Sequence, residues 1–482
     1  MRDRWWLILL AAALAMQARL AFSTEPLWYD EAFSVLAARL PLAKLWQVCA
    51  ADVHPPLYYL LLKPFLALPL RMEVAARLPS LVATWGAMAL LWTVLGRLGL
   101  GNNRKWALLL TAWMPSVLNF SGEARMYAMV MLCFVGAVWA VWEGHWWLAG
   151  VLGAAMAWMQ SAALAYVAAL VLLAWVRLDL RRAAGLGAVA GILYLPWLPE
   201  AVRQAGALRA HWIWWNGPGT VAYMLYRAIF YKMALDSVIS PLAMMVLAGM
   251  GFWGALRTRR EILIAAYGPP AVMAAASMLS GHGLLLHRGV LPSVPFIAAT
   301  WLPILRRRDV GRVLQGMLAI FLALGAVKFA GGKGDARYAD IMEAIRQNRV
   351  DAIVGVNSAV LPLRLYVPNL PIYVVPGLGD ILSDSAATNL GLHIGYPPEG
   401  RVLFVDFELI SASRLERAVA EWLRNCGQEI PVSAKDFASQ TTTLWLLDWR
   451  PGTIPSLRNS AAGWRPNCGE NCAKSHGSSS TD

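Results

Sequence analysis

The hydrophobic positions along this chain run together instead of marking one face of a helix or alternating along a strand. Apolar segments of spanning or near-spanning length fall at about 5–22, 74–95, 106–122, 126–142, 146–159, 161–176, 183–199, 239–256, 262–280, 289–305 and 312–329. Runs of this length and number predict eleven membrane helices. The stretch 145–176 is long for one helix and is interrupted by Gln160 and Ser161, so it reads as two short helices meeting at the far face. The segment 220–233 is apolar but carries Arg227 and Lys232, which places it in the interface. After about residue 331 the pattern changes. Apolar runs shorten to strand length at 352–356, 372–375, 402–407 and 443–447, with helical patterns at 336–348 and 413–425. The second of these opens with Ser413 and Glu416 at capping-box spacing. Alternating strands and helices predict a small α/β domain over 331–460, followed by a polar, disordered tail at 461–482.

Composition agrees with the pattern. The chain is 58% hydrophobic and 15% charged, against about 45–50% and 25% in soluble domains. That excludes a soluble enzyme, a disordered chain and a fibrous protein. The net charge of +13 resembles that of a nucleic-acid binder, but the basic residues cluster between apolar segments. Arg2 and Arg4; Arg97, Arg104 and Lys105; Arg177, Arg181 and Arg182; Arg257, Arg259 and Arg260; and Arg306, Arg307 and Arg308 all fall on one side if the spans number eleven. The positive-inside rule makes that side cytoplasmic and puts the C-terminal domain outside the cytoplasm. A single helix over 145–176 would move the later clusters across the membrane. The 24 tryptophans fit a chain with extensive membrane interface. The first span has the basic start and apolar run of a signal peptide, yet no small-x-small cleavage site follows, so it reads as a retained anchor. Of the cysteines, Cys133 lies in a span and Cys49 in the first outer loop. Cys426, Cys468 and Cys472 lie in the tail, where an oxidising compartment permits one disulfide.

The candidate chemistry gathers on the outer side. The loop 23–73 is long for a connection and rich in aromatic residues, which marks it as functional. It opens Trp28-Tyr29-Asp30-Glu31, continues through a predicted amphipathic helix at 31–48, and reaches Asp52-Val53-His54-Pro55-Pro56-Leu57-Tyr58-Tyr59. The paired prolines fix an extended backbone that aims His54. Three outer turns each carry an arginine that the positive-inside rule does not explain: Arg77 in Arg-Leu-Pro-Ser, Arg125 in Glu-Ala-Arg-Met-Tyr, and Arg288 in His-Arg-Gly-Val-Leu-Pro. One such arginine is most simply a side chain snorkelling to head groups. Three, on the same face as paired carboxylates, point to a lipid phosphate. His211, Trp212, Trp214 and Trp215 in the 200–219 loop read as an interfacial aromatic belt, with sugar stacking as the alternative.

At these residues the sequence resembles the GT-C superfamily of membrane glycosyltransferases that use polyprenyl-phosphate sugars. This superfamily includes glycosyltransferase family 39, the protein O-mannosyltransferases and the lipid A aminoarabinose transferase. Tyr-Asp-Glu, His-Pro-Pro-Leu-Tyr-Tyr, Arg-Leu-Pro-Ser, Glu-Ala-Arg-Met-Tyr and His-Arg-Gly-Val-Leu-Pro occur in matching order up to about residue 300. The resemblance implies a polytopic α-helical protein of the bacterial inner membrane that transfers a sugar at the periplasmic face. The donor would be a polyprenyl phosphate and the acceptor a hydroxyl on a lipid, glycan or protein, as in lipopolysaccharide modification or protein glycosylation. It assigns catalysis to Asp30 with Glu31 in support. The candidate substrate-binding residues are Asp52, His54, Tyr58, Arg77, Arg125, Tyr127, His287 and Arg288. The aminoarabinose transferase has a lysine where this chain has His54, and Asp52 also departs from that pattern. An Asp52–His54 pair would raise the imidazole pKa. Asp30, Asp52 and His54 are also the candidate ligands for a divalent Mg or Mn ion.

Elementary chemistry leads to the same roles. A sugar hydroxyl is a poor nucleophile at neutral pH, so a carboxylate must take its proton as attack proceeds. The leaving phosphate already bears charge and needs cations, which Arg125, Arg288 and Arg77 could supply. One base and one displacement invert the anomeric carbon. A transporter or flippase of lipid-linked or anionic substrates is the competing class. It would be expected to carry ionisable groups at mid-span and internal repeats, whereas here the charges gather at span ends.

Overall fold

The computed structural model describes residues 4–207, 217–231, 236–281, 283–307, 310–330, 336–355, 360–374, 383–395, 397–407, 428–430 and 442–449. The chain forms two compact units, Met1–Thr24 with Val53–Lys333 and Glu25–Asp52 with Gly334–Asp482. The expected helix at 413–425, the aromatic loop residues His211, Trp212, Trp214 and Trp215, Lys232, Cys426, Cys468, Cys472 and the polar tail lie outside the described residues.

The first unit is helical, and each of its eleven apolar segments is helix. Four helical stretches are long and apolar enough to cross a membrane: Met72–Arg97, Leu180–Ala205, Arg260–Ser280 and His287–Leu305. The apolar helices Trp5–Ala21, Tyr127–Trp142 and Trp146–Met159 are shorter. The segment predicted at 106–122 is two helices, Arg104–Trp113 and Pro115–Ser121, because Pro115 cannot continue the first and holds Met114 extended. At Gln160 the backbone is extended, with φ −155° and ψ 115°, and this separates Trp146–Met159 from Leu164–Arg177 as expected.

Small residues let these helices approach. Gly150 lies where a Cβ would come 2.8 Å from the Val189 side chain, so Trp146–Met159 and Leu180–Tyr194 meet in close contact. Gln17 shows how a polar side chain is accommodated inside the bundle. Gln17, fully buried in the first helix, donates through Nε2 to the Ala112 carbonyl and accepts from Trp85 Nε1, each at 3.0 Å. The two bonds remove the cost of an amide in an apolar interior.

In the second unit the 31–48 segment, expected as one helix, is two: Tyr29–Arg39 and Leu42–Ala51. Pro41 holds Leu40 extended and starts the second helix. The rest of this unit is built on a six-stranded sheet, with β1 at Ala352–Gly355, β2 at Ile372–Val374, β3 at His393–Ile394, β4 at Gly400–Phe407, β5 at Gln428–Ile430 and β6 at Thr442–Trp449. Strand order is β3-β2-β1-β4-β6-β5. The first four strands are parallel, with Ile353 beside Ile372 and Leu403, while β6 runs antiparallel to both β4 and β5. Buried Ile353, Val354, Leu403 and Phe404 show why the central strands read as continuous apolar runs. The helix Ala336–Asn348 precedes β1, as its pattern predicted.

Candidate functional site

In the first unit the sequence-predicted basic residues come together around the turn Glu123-Ala124-Arg125. That turn is built tightly. A Cβ on Gly122 would sit 2.8 Å from the Leu20 backbone, so only glycine lets the chain pass the end of the first helix. Ser80, from Arg-Leu-Pro-Ser, donates its hydroxyl to the carbonyls of Glu123 and Arg125 at 2.5 and 3.1 Å. Asn119 donates to the Glu123 carboxylate at 2.8 Å. Arg77 of the same motif is fully buried and donates to the Ser23 carbonyl at 3.0 Å. The motif therefore braces the turn through Ser80 and the end of the first helix through Arg77.

Arg125 reaches His54, its Nη2 lying 2.8 Å from Nε2. A guanidinium only donates, so Nε2 accepts and the imidazole proton sits on Nδ1. Burial, followed by the charges of Arg125 and Arg288, holds the His54 pKa well below the ordinary imidazole value. This corrects the expectation of an Asp52 partner that raises it. The ring is neutral, and an aspartate is not what sets its state. Pro55 and Pro56 follow, and the helix Leu57–Leu66 then buries Tyr58 and Tyr59 edge to face, 5.6 Å between centroids.

Arg288 joins the group through Tyr127. Both guanidiniums lie 5.9 Å from the Tyr127 ring centroid, Arg125 from its own turn and Arg288 from the helix His287–Val290. That second helix is fixed from below. Tyr166 donates its hydroxyl to the Gly289 carbonyl at 2.7 Å, and Ser277 accepts from the amides of Leu284 and Leu285. His287 lies 6.0 Å from Tyr231, which continues through Phe120 to Tyr127 as a chain of ring contacts. Tyr231 has φ 57°, a costly backbone state for an aromatic residue that the surrounding contacts maintain. Ser80, Tyr166 and Tyr231 were not singled out by the sequence. Ser80 belongs to the Arg-Leu-Pro-Ser motif, whereas the roles of the two tyrosines follow from long-range contacts.

An apolar cavity of about 550 Å³ lies in the same unit. Tyr226 and Ile229 line it from Pro218–Phe230, Phe252 from Asp236–Ala255, Tyr267 from Arg260–Ser280, and Ile297 and Trp301 from Val294–Leu305. Two of these elements lead back to the basic group: Pro218–Phe230 packs on His287–Val290, and Val294–Leu305 follows it in one helical stretch.

In the second unit, Asp30 and Glu31 occupy the first turn of Tyr29–Arg39, where the helix dipole favours carboxylates. Glu31 is buried and accepts from the Trp28 amide at 3.4 Å, so it caps the helix, while Asp30 is half-buried. Tyr366 accepts from the Leu27 amide at 2.7 Å and holds the segment that leads in. Asp52 closes Leu42–Ala51; burial, followed by the Asp52 charge, raises the Cys49 thiol pKa, which keeps that cysteine protonated. Among the described residues no three His, Cys, Asp or Glu side chains gather as a metal-binding group. The His54 Nε2 lone pair is also already engaged by Arg125.

No family model and no curated protein sequence matches the chain. Solved structures do match in fold. The apo crystal structure of ArnT from Cupriavidus metallidurans aligns with a TM-score of 0.53 at 13% identity, covering 92% of this chain and 98% of that one. The same protein bound to undecaprenyl phosphate aligns at 0.52, again at 13% identity and the same coverage. The archaeal oligosaccharyltransferase AglB from Archaeoglobus fulgidus, in complex with an inhibitory peptide and a dolichol-phosphate, gives 0.46 at 11% identity, covering 84% and 69%. The chain has the ArnT-type fold that its motifs implied.

Proposed function

We propose that this protein is a membrane glycosyltransferase that moves a sugar from a polyprenyl-phosphate donor to an acceptor hydroxyl, with inversion at the anomeric carbon. The observation that carries the reading is the pair of guanidiniums on Tyr127, built on a fold shared with a protein whose crystal structure holds undecaprenyl phosphate. Arg125 and Arg288 bind the donor phosphate and offset the charge that grows on it as the glycosidic bond breaks. Neutral His54 fixes the direction of Arg125 without adding a third cation. The apolar cavity beside Val294–Leu305 receives part of the prenyl chain.

Asp30 takes the proton of the attacking hydroxyl. The acceptor oxygen bonds to the anomeric carbon as the phosphate leaves with the bonding pair, so no acid is needed on the leaving side. Tyr58 and His287 complete the donor side in this reading, Arg77 supports it from behind by bracing the end of the first helix, and Asp52 stands with Asp30 and Glu31 as an acidic group of the second unit. The reaction belongs to the periplasmic face of a bacterial inner membrane, with the α/β domain on that side and the arginine clusters in the cytoplasm. The acceptor class is a lipid, glycan or protein hydroxyl.

The test is transfer from a panel of polyprenyl-phosphate sugars to membrane extract by purified wild type and Asp30→Asn. Product from the wild type alone supports both the class and the base, and the active donor names the sugar. Equal product from both proteins removes Asp30 from catalysis, and no turnover by folded protein removes the transferase reading.

A further inference from the structure

The helices that begin at the basic group end at a second one. Tyr127–Trp142 runs from beside Arg125 to Trp142, whose ring carries Arg177 at 4.1 Å and Arg259 at 5.3 Å. Val294–Leu305 leads to Arg307, which lies 5.4 Å from the ring of Trp253, while Arg257 lies 3.7 Å from that ring. Each tryptophan thus holds two guanidiniums brought from different connections. Arg257 and Arg259 sit in the short link between Asp236–Ala255 and Arg260–Ser280, so one segment supplies a guanidinium to each ring.

An indole ring stabilises one cation, but a second on the same ring brings repulsion between like charges. Carboxylates offset only part of it. Arg259 meets Glu261 at 3.4 Å, and Glu143, next to Trp142, is taken by Arg97 at 3.3 Å. Among the described residues Arg177, Arg257 and Arg307 meet no carboxylate, and all three are exposed. Four exposed guanidiniums at the ends of apolar helices, gathered on two indoles that share one arginine-bearing link, form a surface complementary to phosphate at the depth of lipid head groups.

We infer that this end of the bundle seats an anionic phospholipid bearing two phosphates, one beside each tryptophan, with Arg177 and Arg259 holding the first and Arg257 and Arg307 the second. The acyl chains lie against the adjoining apolar helices. The site is separate from the proposed transfer chemistry and does not depend on it.

The test is native mass spectrometry of the purified full-length protein titrated with cardiolipin, phosphatidylglycerol, phosphatidylethanolamine or inorganic phosphate. Cardiolipin should bind most tightly and phosphatidylethanolamine least, and Arg257→Gln/Arg307→Gln should weaken cardiolipin about tenfold or more. Because Arg307 is exposed, Arg307→Gln alone keeps the test open if the double variant is not monodisperse, and it should weaken cardiolipin severalfold. Equal affinity for all three lipids overturns the inference, as does affinity unchanged by these substitutions. Inorganic phosphate competing as strongly as the lipid would mark a free-anion site and overturn it too.

Discussion

His54 is where the physical account commits most, because three substitutions there should rank in a fixed order. Its Nε2 accepts from Arg125 Nη2 at 2.8 Å, and hydrogen bonds to a charged group contribute about 1.5–3 kcal/mol. His54→Leu removes the acceptor and frees the guanidinium to turn, so affinity for undecaprenyl phosphate should fall about 10- to 100-fold. His54→Gln places an amide oxygen near the old Nε2 and should stay within a few-fold of wild type. His54→Lys keeps a donor but adds a cation beside Arg125 and Arg288. Two like charges 4 Å apart cost about 4 kcal/mol at an effective dielectric of 20. Lysine should therefore rank below glutamine even though it carries the charge a phosphate prefers. Calorimetric titration of undecaprenyl phosphate into each detergent-solubilised variant gives the order directly. Leucine equal to wild type would remove His54 from the site. Lysine above glutamine would show that the position acts by charge and refute the positioning role.

Three further expectations follow from the same region. Ser80→Ala removes the donor to the Glu123 and Arg125 carbonyls and should lower stability by about 1–3 kcal/mol, read as a drop in Tm, with weaker phosphate binding because the Arg125 turn loosens. Gly122→Ala puts a Cβ 2.8 Å from the Leu20 backbone and should cost about 1–3 kcal/mol through overpacking, measured by denaturation in detergent; a variant as stable as wild type would contradict the close approach. The depressed His54 pKa gives a signed pH effect. Above pH 6.5 the ring is neutral in both folded and unfolded states, so its contribution is fully present. Below 6.5 only the unfolded chain takes the proton, and stability falls by up to about 1.4 kcal/mol per pH unit until the folded pKa is reached. Wild type should lose stability relative to His54→Gln between pH 6.5 and 5, and parallel profiles would contradict a neutral buried imidazole.

Much of this was legible in the chain, for identifiable reasons. Long apolar runs become helices wherever the bilayer leaves the backbone no other partner, and the polar break at Gln160 marked the one ambiguous pair. The helix broken at Pro41 was also signalled by that proline, but the amphipathic pattern on either side outweighed it. The arginines are visible because Arg77, Arg125 and Arg288 stand apart from the basic clusters that set the expected orientation. That Arg125 and Arg288 meet over one tyrosine follows from helix packing among residues far apart in sequence, which no spacing encodes. The neutrality of His54 is hidden from the sequence for a related reason. Asp52 is near in sequence, yet burial, followed by the charges of Arg125 and Arg288, sets the ring. Strands β3 and β5, of two and three residues, are too short for an alternation to register.

Whether a sugar leaves a polyprenyl phosphate is decided by following both halves of the donor. Protein reconstituted in vesicles would be given a donor labelled in the sugar and in the prenyl phosphate, with acceptor present. Wild type should release free polyprenyl phosphate and glycosylated acceptor in equal amounts, and Asp30→Asn should slow both together by about 100- to 10,000-fold. Intact donor crossing the membrane, with neither product formed, would contradict the account and identify a flippase instead.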